Sequence, residues 1–399
     1  MTIQFSNYSP EFVATRRFLH QNPELGLSEF KTSDFLAEQL LGLGYEVTRG
    51  LGQTGLVARL TQGGSGRSIG IRADVDALPI QEETGLDHAS RTAGLMHACG
   101  HDGHTAMLLG AARILAERRM FDGTVNLIFQ PAEENFAGAR LMIEDGLFRR
   151  FPCDAVFGLH NDPSIPFGTI AVREGAIMAA ADECRIIVNG RGGHGAEPQD
   201  ASDPIVCGAS IVMALQTIVS RNLHALDQAV ITVGAFNAGK ASNVIPERAE
   251  MAVTVRSFDP AVRDMLERRI RALAQGQAES FGMTVSIDYE RGYEPTINHK
   301  RETDLVRDVA ARVVGAEKLV ELARPSMGSE DFAFMLKECP GSYFLLGTAK
   351  TENDPPLHHP RFDFNDEALP IGVAMWVELV ETFLNAPPET GRSGQAERV

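Results

Sequence analysis

The chain has 399 residues, 44% hydrophobic and 23% charged, the balance of a folded enzyme-sized protein with room for two cores. A net charge of −16, with no run of Lys or Arg, argues against nucleic acid as a partner. Five scattered cysteines without a CxxC pair, no basic leader and no apolar run near the ~18 residues of a membrane span lead to the expectation of a soluble, cytoplasmic protein.

Residues 10 to 44 carry a helical periodicity, with Arg16 and Arg17 interrupting the apolar face and Gly42 and Gly44 closing it. Three short runs rich in Val and Ile then share a pattern. "SIGIRADVDALP" leads into Asp74 and Asp76, "GTVNLIFQPAEE" into Glu133 and Glu134, and "CDAVFGLHNDP" into His160. Each is too short for a buried helix and is bounded by Gly or Pro, so each is predicted to be a buried strand. Between the first two, "DGHTAMLLGAARILAERR" predicts a helix with Asp102 as its N-cap. Strand-helix-strand alternation implies a parallel or mixed α/β sheet, whose ligand site lies beyond the carboxyl ends of its strands. All three runs place their acids or histidine there.

From about residue 182 the pattern changes to strand, helix, two strands, helix and strand, ending at "MTVSIDYERGY". That βαββαβ order predicts a compact four-stranded sheet with both helices on one face, a ferredoxin-like arrangement. Near residue 297 the chain returns to the first domain, with "GSYFLLGT" as a core strand and "DEALPIGVAMWVELVETFL" as a closing helix. The expected division is therefore 1–181, an inserted domain at 182–296, a return at 297–385, and a polar tail at 386–399 expected to be disordered.

The stretch "MHACGHDGH", residues 96 to 104, holds three of the chain's 11 histidines and one of its cysteines. Cys99 and His101, two apart across Gly100, suit a loop whose tight turn lets both side chains converge on a metal. His97 and His104 are less suited, because His104 already lies in the following helix. In "PAEE", neighbouring side chains of an extended segment point opposite ways, so one glutamate can bind a cation while the other acts as general base. His160 and one histidine of the "PPLHHPRFDF" pair, His358 or His359, complete five donors. Such a set suits two co-catalytic divalent ions about 3.5 to 4 Å apart. Mixed Cys and His ligation favours zinc, with manganese, cobalt or nickel as alternatives. A thiol-nucleophile hydrolase built on Cys99 and a histidine has the same spacing and differs in surviving metal removal.

Together "RADVDALPI", "MHACGHDGHTAMLLGAA", "QPAEE", "GLHNDP", "GRGGHGAEP", "SNVIPE", "VRSFDP", "MGSEDFAFML" and "LHHPRFDFNDEALPIG" resemble the aminoacylase/hippurate-hydrolase branch of the carboxypeptidase-like binuclear metallohydrolases, which includes the plant auxin-conjugate amidohydrolases. The likeness runs from about residue 10 to 385 with the motifs in order. It implies a zinc-peptidase-type catalytic domain interrupted by a lid, and hydrolysis of N-acyl amino acids to a carboxylic acid and a free amino acid. It assigns Cys99, His101, Glu134, His160 and His358 to the metals and Glu133 to general acid/base catalysis, with Asp76 orienting the ligands. His359 occupies a place where relatives usually carry Asn or Ser. In the lid, the resemblance matches His194 to a residue near the substrate carbonyl oxygen, and Asn243 and Arg256 to candidates for holding the substrate carboxylate. It also implies homodimers paired through the lid. A dipeptidase or carboxypeptidase, and an inactive metal-binding member, are the rival readings.

Overall fold

Pro23 and Gly26 interrupt the first helical periodicity, and the computed structural model, which describes residues 9–387, breaks it into two helices. These are α1 (Ser9–Gln21) and α2 (Phe30–Gly42), joined by a strap of extended and turning backbone. There follow β1 (Glu46–Leu51), β2 (Gly55–Gln62), β3 (Ser68–Asp74), α3 (His101–Arg118), β4 (Gly123–Gln130), α4 (Gly138–Glu144), α5 (Leu147–Arg150), β5 (Ala155–Pro166) and β6 (Ile170–Val172). Next come β7 (Gly175–Met178), β8 (Ala180–Asn189), β9 (Gly193–His194), α6 (Pro204–Arg221), β10 (Ala229–Ala238), β11 (Val244–Ile245), β12 (Arg248–Ser257), α7 (Pro260–Ser280), β13 (Thr284–Tyr293) and β14 (Thr296–Asn298). The chain closes with α8 (Lys300–Val313), β15 (Leu319–Glu321), α9 (Phe332–Glu338), β16 (Gly341–Ala349) and α10 (Leu369–Asn385). The tail expected at 386–399 lies, from residue 388 on, outside the described residues.

The chain divides into two compact units. Among the described residues, the first comprises 9–172, His299–Glu321 and 338–387; the second is Arg173–Asn298 with Leu322–Lys337. In the first unit one eight-stranded mixed sheet has the order β1-β2-β4-β3-β5-β16-β6-β15. Its central strands β4, β3, β5 and β16 run parallel, β1 and β2 pair antiparallel with their neighbours, and β6 lies antiparallel to β16 and parallel to β15. Ile69, Ile71, Val125, Leu127, Ala155 and Phe157 on these strands are all buried, as expected of parallel strands covered on both faces. Helices α3, α8 and α10 pack together, and Trp376 of α10 lies edge-on to Phe344 of β16.

In the second unit β8, α6, β10, β12, α7 and β13 follow the predicted βαββαβ order, and the antiparallel sheet runs β10-β12-β8-β13. Both long helices start at an Asp-Pro pair. Asp203 accepts from the Ile205 N–H, and Asp259 from those of Ala261 and Val262. Ile186 and Val188 meet Ile211 and Leu215 of α6 and Leu266 and Ile270 of α7 in one core. Helix α6 is long and apolar enough to cross a bilayer by length and composition alone. It buries the stripe Cys207, Ile211, Leu215 and Ile218 against its own sheet.

A second difference concerns Leu322–Lys337, which chain order assigns to the return into the first domain. Backbone bonds join it to the second unit instead: Ala179 N–H reaches the carbonyls of Ser326 and Gly328, and Ser326 N–H that of Ile177. Arg173 donates to the Leu322 carbonyl, and Lys337 pairs with Glu294.

Candidate metal centre

The carboxyl ends of β3 and β4, the His160 region of β5 and the first turn of α3 converge in the first unit. Cys99 precedes α3 across Gly100, whose φ of +98° is left-handed. A Cβ on Gly100 would also lie 2.1 Å from Asn161 Oδ1, so no larger residue fits there. His101 opens α3, correcting the assignment of Asp102 as N-cap. Asp102 instead sits inside the first turn, where it accepts from the Gly103 N–H and pairs with the buried Arg16 and His20.

Cys99, His101 and His160 bring one donor atom each within 4.8 Å of one another, and so do Cys99, Glu134 and His358, so the thiol belongs to both groups. Cys99 Sγ lies 3.3 Å from His160 Nε2, and Glu134 Oε1 lies 3.2 Å from His358 Nε2 and 3.9 Å from His101 Nε2. Each inner histidine is held by its far nitrogen. His101 Nδ1 donates to the Asp76 carbonyl and carboxylate, at 3.0 and 3.1 Å, and His160 Nδ1 to the Asn161 carbonyl at 2.7 Å. Nε2 is therefore the nitrogen that each ring turns to the site, the one a metal ligand offers. Asp76 also accepts from the Glu134 N–H, so one carboxylate orients two members of the set.

His358 has a left-handed φ of +64°, and its N–H donates to the Ala98 carbonyl, tying the late segment to the residue beside Cys99. The neighbouring His359 turns into its own loop, where Nδ1 accepts from the Arg361 N–H. The structure thus brings His358 to Glu134 and leaves His359 apart.

Glu133 and Glu134 depart from the extended geometry expected of them. Ala132 is left-handed at φ +54°, the chain turns, and one oxygen of each glutamate comes within 4.8 Å of a His101 ring nitrogen. Both face one site.

His101 Nε2 is buried without a hydrogen bond, and Glu134 Oε1 meets only imidazole nitrogens, of His358 and His101. Leaving such a buried nitrogen unsatisfied costs ~1–3 kcal/mol, which a cation beside it relieves. A thiol, imidazoles and a carboxylate around these two atoms fit divalent ions with affinity for both nitrogen and sulfur. Burial works against the His101 imidazolium, yet Asp74, Asp76 and Glu134 push its pKa up to about 10. Burial, with Glu134, Glu133 and Asp74, holds the Cys99 thiol well above its ordinary range. That is opposite to the activation a cysteine nucleophile needs. Burial and the neighbouring His104 lower His160 to about 4.

Without a cation, Cys99 and His101 therefore keep their protons at neutral pH, and ligation must displace both. The sign is fixed: apparent Zn2+ affinity rises with pH, by roughly tenfold per unit for each proton displaced. Calorimetry in buffers of different ionisation heat measures the protons released; an affinity flat from pH 6 to 8 would remove Cys99 and His101 from the ligand set.

Two residues passed over in the sequence form a wall behind these donors. His104, three positions after His101 on the same helix face, has Nδ1 2.6 Å from Asp74 Oδ1 and Nε2 2.7 Å from Asn161 Oδ1. Asn161 in turn holds His160. The i,i+3 spacing in "HDGH" is the signal that reveals His104; Asn161 offers none beyond its place after a ligand. In the second unit, β9 and β11 pair His194 with Val244, beside Asn243, whose carbonyl accepts from the Gly195 N–H. His194 is exposed there, and Arg256 lies half-buried on β12 opposite Val230.

A family profile described as peptidase family M20/M25/M40 matches residues 70–382. The chain belongs to that family. This M20 chain is 42% identical to the hippurate hydrolase of Campylobacter jejuni over 94% of its length and 97% of the relative's. It is 39% identical to IAA-amino acid hydrolase ILR1-like 2 of Arabidopsis thaliana, over 96% of this chain and 88% of that one. Among solved structures it resembles the Bacillus subtilis YXEP protein, described as a dinuclear metal binding peptidase from the M20 family, with a TM-score of 0.82 and 35% identity over 95% and 99% of the two chains. The motifs and these relatives agree on the amidohydrolase branch of the M20 family.

Proposed function

We propose that the protein is a metal-dependent amidohydrolase that cleaves N-acyl amino acids, with benzoyl, acetyl or indole-acetyl groups, to a carboxylic acid and a free amino acid. The donor set of buried Cys99 and His101, half-buried Glu134 and His160 and the more exposed His358, with Glu133 beside it, carries this reading. When bound, two divalent ions, zinc first among the candidates, acidify a water and polarise the amide carbonyl.

The chain's own residues do the rest. Asp76 and Asn161 fix the imidazoles, and the wall behind them keeps bulk water from the donors' far side. Glu133 takes a proton from the attacking water as its oxygen bonds to the amide carbon. As the C–N bond breaks, Glu133 returns that proton to the departing nitrogen. His194, Asn243 and Arg256 are assigned to the substrate, His194 to the carbonyl oxygen and the other two to the carboxylate. The pairing of β9 with β11, which presents His194 and Asn243 together, supports that assignment.

The second unit, taken as a lid over about 182–296, is read as ferredoxin-like, an assignment supported by its strand order. Exposed Ile205, Val206 and Met213 on α6 support pairing of two copies through it, and a monomer in sedimentation would remove that part. Five free thiols support a reducing, cytoplasmic setting.

The test is hydrolysis of N-acetyl, N-benzoyl and indole-acetyl amino acids, with dipeptides alongside, by Zn2+- or Mn2+-loaded protein. Acyl amino acids are cleaved, chelation abolishes turnover, and the cation restores it. Faster cleavage of dipeptides would reassign the enzyme as a dipeptidase, and activity surviving chelation would pass the chemistry to a Cys99 nucleophile.

A further inference from the structure

The strap between α1 and α2 carries Glu29, a carboxylate 0% exposed and without a place in the reaction described above. It stands at the N-cap of α2, yet its side chain makes no cap bond there. The carboxylate turns inward instead. Oε2 accepts from the Thr54 hydroxyl at 2.6 Å, and Oε1 from the Ala132 N–H at 2.9 Å.

Ala132 is the left-handed residue whose turn aims Glu133 and Glu134 at His101, a conformation that costs a non-glycine residue ~1–2 kcal/mol. Such a conformation persists where its surroundings over-determine it, and the strap touches it twice. Besides the Glu29 bond, Gly26 packs so closely that a Cβ there would lie 3.0 Å from both Cα and Cβ of Ala132.

The same strap reaches the other loop of the site. Leu25 bridges Ala77, and the Ala77 N–H donates to the Glu24 carbonyl at 2.9 Å, one residue from Asp76. Glu24 folds the strap on itself by accepting from the Thr32 N–H and hydroxyl. One segment therefore touches both the loop that supplies Glu133 and Glu134 and the loop whose Asp76 orients His101.

We infer that Glu29 is a positioning residue for the Glu133–Glu134 pair, fixing through Ala132 the direction in which both carboxylates enter the site. The inference rests on the metal-site reading above and adds a residue more than 100 positions away in the chain, with no donor atom of its own in the site.

Glu29→Ala removes the contact, Glu29→Asp shortens its reach by a methylene, and Glu29→Gln keeps an acceptor oxygen at the same distance. In the full chain, with folded fraction matched by circular dichroism, the Ala and Asp variants lose Zn2+ affinity and kcat by roughly tenfold or more, the scale of residues that orient metal ligands. KM stays within about threefold, and the Gln variant returns both quantities to within about threefold of the parent. Parental Zn2+ affinity and kcat in Glu29→Ala, with only a lowered Tm, would overturn the inference and leave Glu29 a strut. If Glu29→Ala does not fold, Glu29→Asp against Glu29→Gln decides in the same way. Zn2+ affinity reads positioning even if no acyl amino acid is hydrolysed, so failure of the proposed function and failure of the positioning role are separate results.

Discussion

Glu133→Gln lowers kcat by roughly a hundredfold or more while the protein keeps its metal content. The substitution preserves volume and removes the one property the proposed reaction uses, a carboxylate able to accept a proton and give it back. Glu133 is 7% exposed, and one of its oxygens lies within 4.8 Å of donor atoms of His101 and Glu134. It is absent from the two groups that share Cys99, so metal stoichiometry by elemental analysis stays at the parent value. Steady-state kinetics on the best acyl amino acid then isolates the proton-transfer role. Parental turnover in this variant would falsify that role, and lost metal would move Glu133 among the ligands.

Arg16→Met destabilises the fold by ~3–5 kcal/mol, the cost of removing one partner from a buried ionic network. Arg16 is 0% exposed, and its guanidinium lies 2.9 Å from Asp102, 2.9 Å from Asp363 and 3.5 Å from Asp366. Methionine retains the apolar stem and removes the buried cation that the three carboxylates share, leaving Asp102 to His20, Asp363 to Lys350 and Asp366 to Arg17. Urea unfolding at fixed pH measures the difference, and a change below ~1 kcal/mol would show that solvent reaches these groups. His20, between Asp102 at 2.8 Å and Glu82 at 3.3 Å, supplies the second cation. Burial opposes its charge, but the two carboxylates raise its pKa from 6.5 to about 9. A raised histidine stabilises the folded state fully below 6.5, and that part is lost as the pH rises through about 9.

The network also shows where the sequence is silent. Arg16 reads as a charged interruption of an apolar helix face because its partners lie 86 to 350 positions away, and no local pattern reports a buried ion pair. The strap at 22–29 hides for the same reason. Its Pro and Gly mark a break, but the contact of Glu29 with Ala132 spans 103 positions. The left-handed turn at Ala132 is set by that packing rather than by alanine's own preference, so alternation alone misdirects the two glutamates. What was legible has short-range causes. Buried parallel strands leave unbroken Val and Ile runs, their ends display acids and histidine, and a glycine between Cys99 and His101 announces a turn. The two helical runs of the inserted domain are equally local, and each starts at an Asp-Pro pair.

The position of β16 has a consequence for biosynthesis. This strand fills the gap between β5 and β6 inside the large sheet, yet it is made after the whole inserted unit, and His358 emerges later still. A nascent chain halted before Gly341 exposes two unpaired edges within the sheet and lacks the fifth proposed donor. Assembly of the proposed centre therefore waits until the chain beyond His358 has left the ribosome, and chains truncated before Gly341 are candidates for aggregation rather than for partial activity.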